Sequence, residues 1–152
     1  MTTRHTTRAL AIGLVTSLTA CAPGELSGPP EILLDEHVCD QCNMIISDER
    51  FASASLVHDD RRGNEYKRFD DLNCLINFER GNPDVDVLHR WVHDYTTLEW
   101  LDARRAVFLR SAALHTPMGS NLAAHTTSDD AMSLKNELGG EIQAYEDVWR
   151  SQ

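Results

Sequence analysis

Cys39-Asp-Gln-Cys42-Asn-Met44 places two thiols and a thioether within six residues. Thiolate and thioether are soft donors, and among biological metals they favour Cu(I). Structural zinc sites are built from Cys and His and gain nothing from a methionine. Cys42 and Met44 are two apart, so an extended segment would send both side chains to one face, where one ion could be held. Taken alone, Cys-x-x-Cys is equally compatible with a disulfide, half of a zinc site or a redox pair. Met44, followed by Ile45-Ile46, also fits the first core residue of a strand.

Other reactive side chains give weaker signals. Cys74 falls on the apolar face of a helix beside Leu75 and Phe78 and reads as a small buried thiol. His37 lies close to Cys39 in sequence, but none of His37, His58, His89, His93, His115 and His125 is singled out as a ligand. No Ser-His-Asp arrangement, phosphate-cradling glycine loop or paired-carboxylate motif is present, so the chain does not read as an enzyme or as a binder of a small-molecule substrate.

The elements that must position these residues repeat. Phe51–His58 reads as a strand, Asp59–Asn64 as a turn and Glu65–Phe69 as a second strand. Asp70 or Asp71 then caps a helix with Leu72, Leu75 and Ile76 on one face. Gly81 stops it, and Val85–Val92 returns as a strand. Later, Ala106–Leu109 and Asn121–His125 read as strands. Ser128-Asp-Asp130 opens a helix with Ala131, Leu134 and Leu138 on one face, Gly139-Gly140 ends it, and Glu141–Tyr145 alternates as the returning strand. The expected class is α+β: two related β-β-α-β units with mainly antiparallel sheets and helices on one face. Residues 37–97 form the first unit and 98–152 the second.

The start of the chain reads as an address. Arg4 and Arg8 precede an apolar run, Ala9–Val15, too short to span a bilayer. Leu18-Thr-Ala-Cys21 resembles a bacterial lipobox, so residues 1–20 are expected to be a lipoprotein signal peptide and Cys21 the acylated residue. Residues 21–36, rich in Pro, Gly and Ser as far as Pro30, are expected to be a flexible tether to the membrane. Losing Arg4 and Arg8 takes the net charge from −10 to −12. So acidic a domain is a poor nucleic-acid binder and favours a cation or a basic partner.

An acylated N-terminus, Cys42-x-Met44-Ile-Ile46, Phe69-Asp-Asp71, Pro117-Met-Gly119 and Gly139-Gly140, in this order from about Cys39 to Val148, resemble the NosL family. The resemblance implies two β-β-α-β units in a periplasmic lipoprotein accessory to nitrous oxide reductase. It further implies delivery of Cu(I) for that enzyme's copper centres, alongside an ABC-type maturation complex. Ala22 after Cys21 resembles outer-membrane-directed lipoproteins. Cys42 and Met44 match the family's Cys-x-Met metal motif, and Met118 matches a methionine of the second unit that looks like a further copper contact. Cys39 adds a second thiol, and Asn43 stands where members often have Gly. The expected metal site is Cys39, Cys42, Met44 and Met118. Two rivals remain at this stage: a thiol-disulfide oxidoreductase using Cys39 and Cys42, and a zinc module using Cys39, Cys42, Cys74 and a histidine.

Overall fold

The computed structural model describes residues 26–151; the expected signal peptide and Cys21 lie outside the described residues. Strands β1 (Ser53–Asp59) and β2 (Gly63–Phe69) form a hairpin, helix α1 (Leu72–Gly81) crosses back, and β3 (Asp86–His93) pairs with the far edge of β1. The same path recurs as β5 (Val107–Arg110), β6 (Leu122–His125), α2 (Ser128–Leu138) and β7 (Glu141–Gln143). The sheet orders, β2-β1-β3 and β6-β5-β7, are one permutation used twice, with every named pair antiparallel. The chain is thus α+β, with two related β-β-α-β units, as the repeat in the sequence implies.

Local chemistry sets these boundaries. Asp71 caps α1 by accepting from the Asn73 amide, and Thr127 caps α2 by accepting from the Asp130 amide. Helix α2 stops at Gly139, φ 68°, and Gly140 follows at φ 110°. A side chain at Gly140 would run into the carbonyl oxygen of Arg110 at the end of β5, so only glycine lets β7 approach.

Three features lie beyond the repeat. Strand β4 (Trp100–Asp102), inside the stretch read as the second unit, pairs with β3 and completes a four-stranded first sheet. Helix α3 (Tyr145–Ser151) begins at Tyr145, the last residue of the expected strand, and is an element the sequence pattern did not announce. It is tied to the first unit by Trp149, whose indole N–H donates to Glu79 at 3.1 Å, while Arg90 grips the same carboxylate at 2.7 and 3.0 Å. Within the stretch read as tether, Pro30 is buried, Ile32 packs against the core, and Tyr66 and Arg68 donate to the carbonyls of Gly28 and Glu31.

One core serves both units. Val57, Phe69, Leu75 and Ile76 of the first meet Phe108, Leu122, Ala124 and Val148 of the second. Two buried carboxylates stitch the seam. Asp94, after β3, accepts from the amide and hydroxyl of Thr126 at 2.7 and 2.8 Å, beside an isolated parallel bridge to Ala124. Asp71 does the equivalent at α1, as described below. Such seams need every lone pair used, because an unpaired buried carboxylate is costly.

Candidate metal centre

The Cys39–Met44 segment is not the extended run the spacing suggests. It is a tight turn: the Cys39 amide donates to the Met44 carbonyl at 2.8 Å, and the Asn43 amide donates to the Cys39 carbonyl at 3.0 Å. Asn43 sits at φ 60°. That left-handed conformation suits glycine best, and asparagine is among the few other residues that adopt it readily. Asn43 therefore supports the left-handed turn that glycine would make at this position. The turn is clipped to the end of β2, with Asp40 N–H donating to the Arg68 carbonyl and Arg68 N–H donating to the Asp40 carboxylate at 2.8 and 2.7 Å. The Ser47 amide donates to Asp70 at 3.1 Å.

Because α1 starts just after Asp70-Asp71, this clip brings the turn over the helix's first turn, which carries Cys74. The sulfurs of Cys39, Cys42 and Cys74 lie within 4.8 Å of one another, and all three cysteines are free. Cys39 and Cys74 are buried and Cys42 is half-buried. No histidine or carboxylate joins this group among the described residues. Cys74 is the residue that sequence reasoning set aside. Its only sequence signal was its position three residues after the cap, in the first turn of α1.

The three thiols are not equivalent. The Cys74 and Cys39 side chains are hydrogen-bonded sulfur to sulfur, and with the amides of Cys42, Asp70 and Gln41 this outweighs burial and lowers Cys39 to about 5. Cys74 is driven far up by the Cys39 thiolate it serves and by burial. Burial raises Cys42, against the Met44 amide that lowers it. A preformed thiolate lies at the bottom of the site, and a half-exposed thiol lies at its mouth.

The two methionines are at the surface, 56% (Met44) and 36% (Met118) exposed. Met44 closes the Cys39 turn. Met118 comes from the loop between β5 and β6, and its amide donates to Asp71 at 2.8 Å. His37 accepts from the Leu33 amide through Nδ1, and His93 is bonded to the Ala52 carbonyl. His125 is fully buried, and neither ring nitrogen has a partner among the described residues.

The fold and this turn define a two-unit α+β protein with three free thiols brought together, and comparison with known proteins gives the family. The NosL family model matches residues 30–152, and the chain belongs to the NosL family. No curated protein matches it. Among solved structures, it is similar to the crystal structure of the copper chaperone NosL from Shewanella denitrificans. That match has a TM-score of 0.67 at 19% identity and covers 82% of this chain and 98% of that one. At that identity the likeness speaks to the fold, which it shares.

Proposed function

We propose that this chain is a copper metallochaperone that binds one Cu(I) through Cys42, Cys39 and Cys74, with Met44 and Met118 contributing at the rim. The observation that carries the reading is the convergence of three free thiols beneath an exposed Cys-x-Met turn. Thiolate sulfur selects Cu(I) among the biological first-row metals, and thioether donors reinforce that choice. A half-exposed Cys42 lets an incoming ligand from a partner attach before the last protein sulfur leaves, as hand-over requires. The proposed destination is the copper centres of nitrous oxide reductase, reached with an ABC-type maturation complex. The chain would be held by acylated Cys21 at the periplasmic face of the outer membrane.

The geometry argues against the rivals. A redox cysteine pair needs its low-pKa thiol within reach of a substrate disulfide. Here the activated thiol, Cys39, is buried, and the reachable one, Cys42, is raised. A structural zinc site closes with four ligands, and the thiol group has three members among the described residues. The finer reading is tested in cells that make nitrous oxide reductase. Deleting this gene should yield a copper-depleted reductase that wild type restores and Cys42→Ser does not. A fully loaded reductase in the deletion strain would refute it.

A further inference from the structure

Asp71 is fully buried, and its two carboxylate oxygens serve different halves of the molecule. Oδ1 accepts from the Asn73 amide at 2.8 Å and caps α1. Oδ2 accepts from the Thr116 hydroxyl at 2.7 Å and from the amides of Met118 and Ser120 at 2.8 and 3.4 Å. The Asp71 backbone carbonyl accepts from the Cys74 amide at 2.9 Å. The Asn73 side chain adds a bond to the Met118 carbonyl at 3.1 Å. One residue thus starts the helix that carries Cys74 and holds the loop that carries Met118.

Capping alone does not require this. A single hydroxyl oxygen caps a helix, as Thr127 does for α2. The second oxygen of Asp71 is surplus to capping and is spent entirely on the other unit's loop. Three donors converging on one carboxylate oxygen is a strong, directional clamp. Pro117, Met118 and Gly119 at the loop's tip are exposed, so hydrogen bonds hold the tip: those to Asp71, the Asn73 bond to Met118, and the Gly119 amide to the Thr116 carbonyl at 3.2 Å.

We propose that Asp71 is a positioning residue of the metal centre: it fixes Met118 against the start of α1, the helix whose first turn carries Cys74, and so completes the site across the two units. This rests on the reading of Met118 as a copper contact. Asp71 itself touches no metal. Residues that orient metal ligands typically cost 10–100-fold in affinity when lost.

The test is a double-mutant cycle on the purified mature protein with thiols reduced. Cu(I) affinity is measured against a competing chelator, and the copper–sulfur shell by X-ray absorption. Asp71→Ser keeps a cap for α1 and removes the clamp; Thr116→Val loosens the clamp and leaves the cap untouched, so it carries the test should the first variant fold poorly. Asp71→Ser and Met118→Leu should each weaken Cu(I) binding about 10- to 100-fold and remove one sulfur from the shell. The double variant should match Met118→Leu to within about twofold, and Thr116→Val should weaken binding only in the Met118 background. If Asp71→Ser weakens binding equally in the Met118→Leu background, it acts through the fold and the proposal fails. If Met118→Leu weakens binding and Asp71→Ser and Thr116→Val do not, Asp71 has no part in the site. If Met118→Leu binds as wild type, the Met118 contact falls and this role with it. The three-thiol reading is judged separately, by Cys42→Ser.

Discussion

The side chains of Cys74 and Cys39 are hydrogen-bonded sulfur to sulfur, a contact that lowers Cys39 and raises Cys74. The site is therefore half prepared for a soft cation before one arrives. A metal that binds all three sulfurs must displace the protons of Cys42 and Cys74, while Cys39 has none to give at neutral pH. Titrating Ag(I), a redox-inert stand-in for Cu(I), in buffers of different ionisation enthalpy should report about two protons released per ion at pH 7. Release of three would place Cys39 among the protonated thiols. In the same protein, a bulky alkylating reagent should label half-buried Cys42 before Cys39 or Cys74, and Ag(I) should protect it.

Asp94 ties the seam between the units. Burial works against its charged form, but bonds from Thr97, from the side chain and amide of Thr126 and from Thr96 prevail and lower it to about 2. Its folded value lies below the ordinary 3.8. The stability it supplies is thus fully present above pH 4 and is lost as pH falls toward 2. The loss should be about 2 kcal/mol across that window, read by denaturant unfolding at successive pH values. Asp94→Asn should be less stable at pH 7 and should flatten that part of the profile. An unchanged acid profile in Asp94→Asn would assign the loss to other groups.

Much of the fold was legible because its signals are local. The Asp70-Asp71 cap signal, the helix start at Ser128-Asp-Asp130, stop signals at Gly81 and Gly139, and helical spacing of Leu72, Leu75 and Ile76 each sit within a few residues of what they specify; the cap of α2 itself is Thr127, one residue earlier. The thiol cluster was only half legible. Cys39 and Cys42 announce themselves by spacing, but Cys74 is brought to them by the Arg68–Asp40 and Asp70–Ser47 contacts, which no local pattern encodes. A cysteine beside Leu75 and Phe78 looks like core in any sequence, and this one is buried as well as clustered. The turn at Asn43 was hidden for a different reason: alternation suggests extended backbone, and one left-handed residue overrides it. Helix α3 packs Tyr145, Val148 and Trp149 on the core at i, i+3 and i+4, but the alternation of Glu141–Tyr145 claimed Tyr145 for the strand and hid that period.

His125 and Phe69 end the second strand of their respective units, at matching places in the repeat. Phe69 fills its place with an apolar ring, whereas His125 buries two ring nitrogens without a partner among the described residues. Burial lowers His125 below the ordinary 6.5, with Asp94 and Asp130 pulling the other way. Through its titration, a base lowered by folding costs nothing above its unfolded value and costs stability as pH drops below 6.5. His125→Phe should raise unfolding stability at pH 7 by about 1 kcal/mol or more, the cost of the unmade bonds. It should also reduce, without abolishing, the fall in stability from pH 7 to pH 5, because buried His93 is lowered in the same way. A destabilised His125→Phe would mean that the imidazole makes an interaction the ring of Phe cannot replace.

The central claim is that three thiols form one Cu(I) site, and affinity tests it most directly. Cu(I) binding by the reduced protein should be measured against a competing chelator for wild type and for Cys39→Ser, Cys42→Ser and Cys74→Ser. Wild type should take up one ion. Each substitution should weaken binding by more than about a hundredfold, since loss of a thiol ligand outweighs loss of a rim thioether or of a residue that orients one. A Cys74→Ser variant that binds as tightly as wild type would contradict the three-thiol centre and return the site to the Cys-x-Met turn alone.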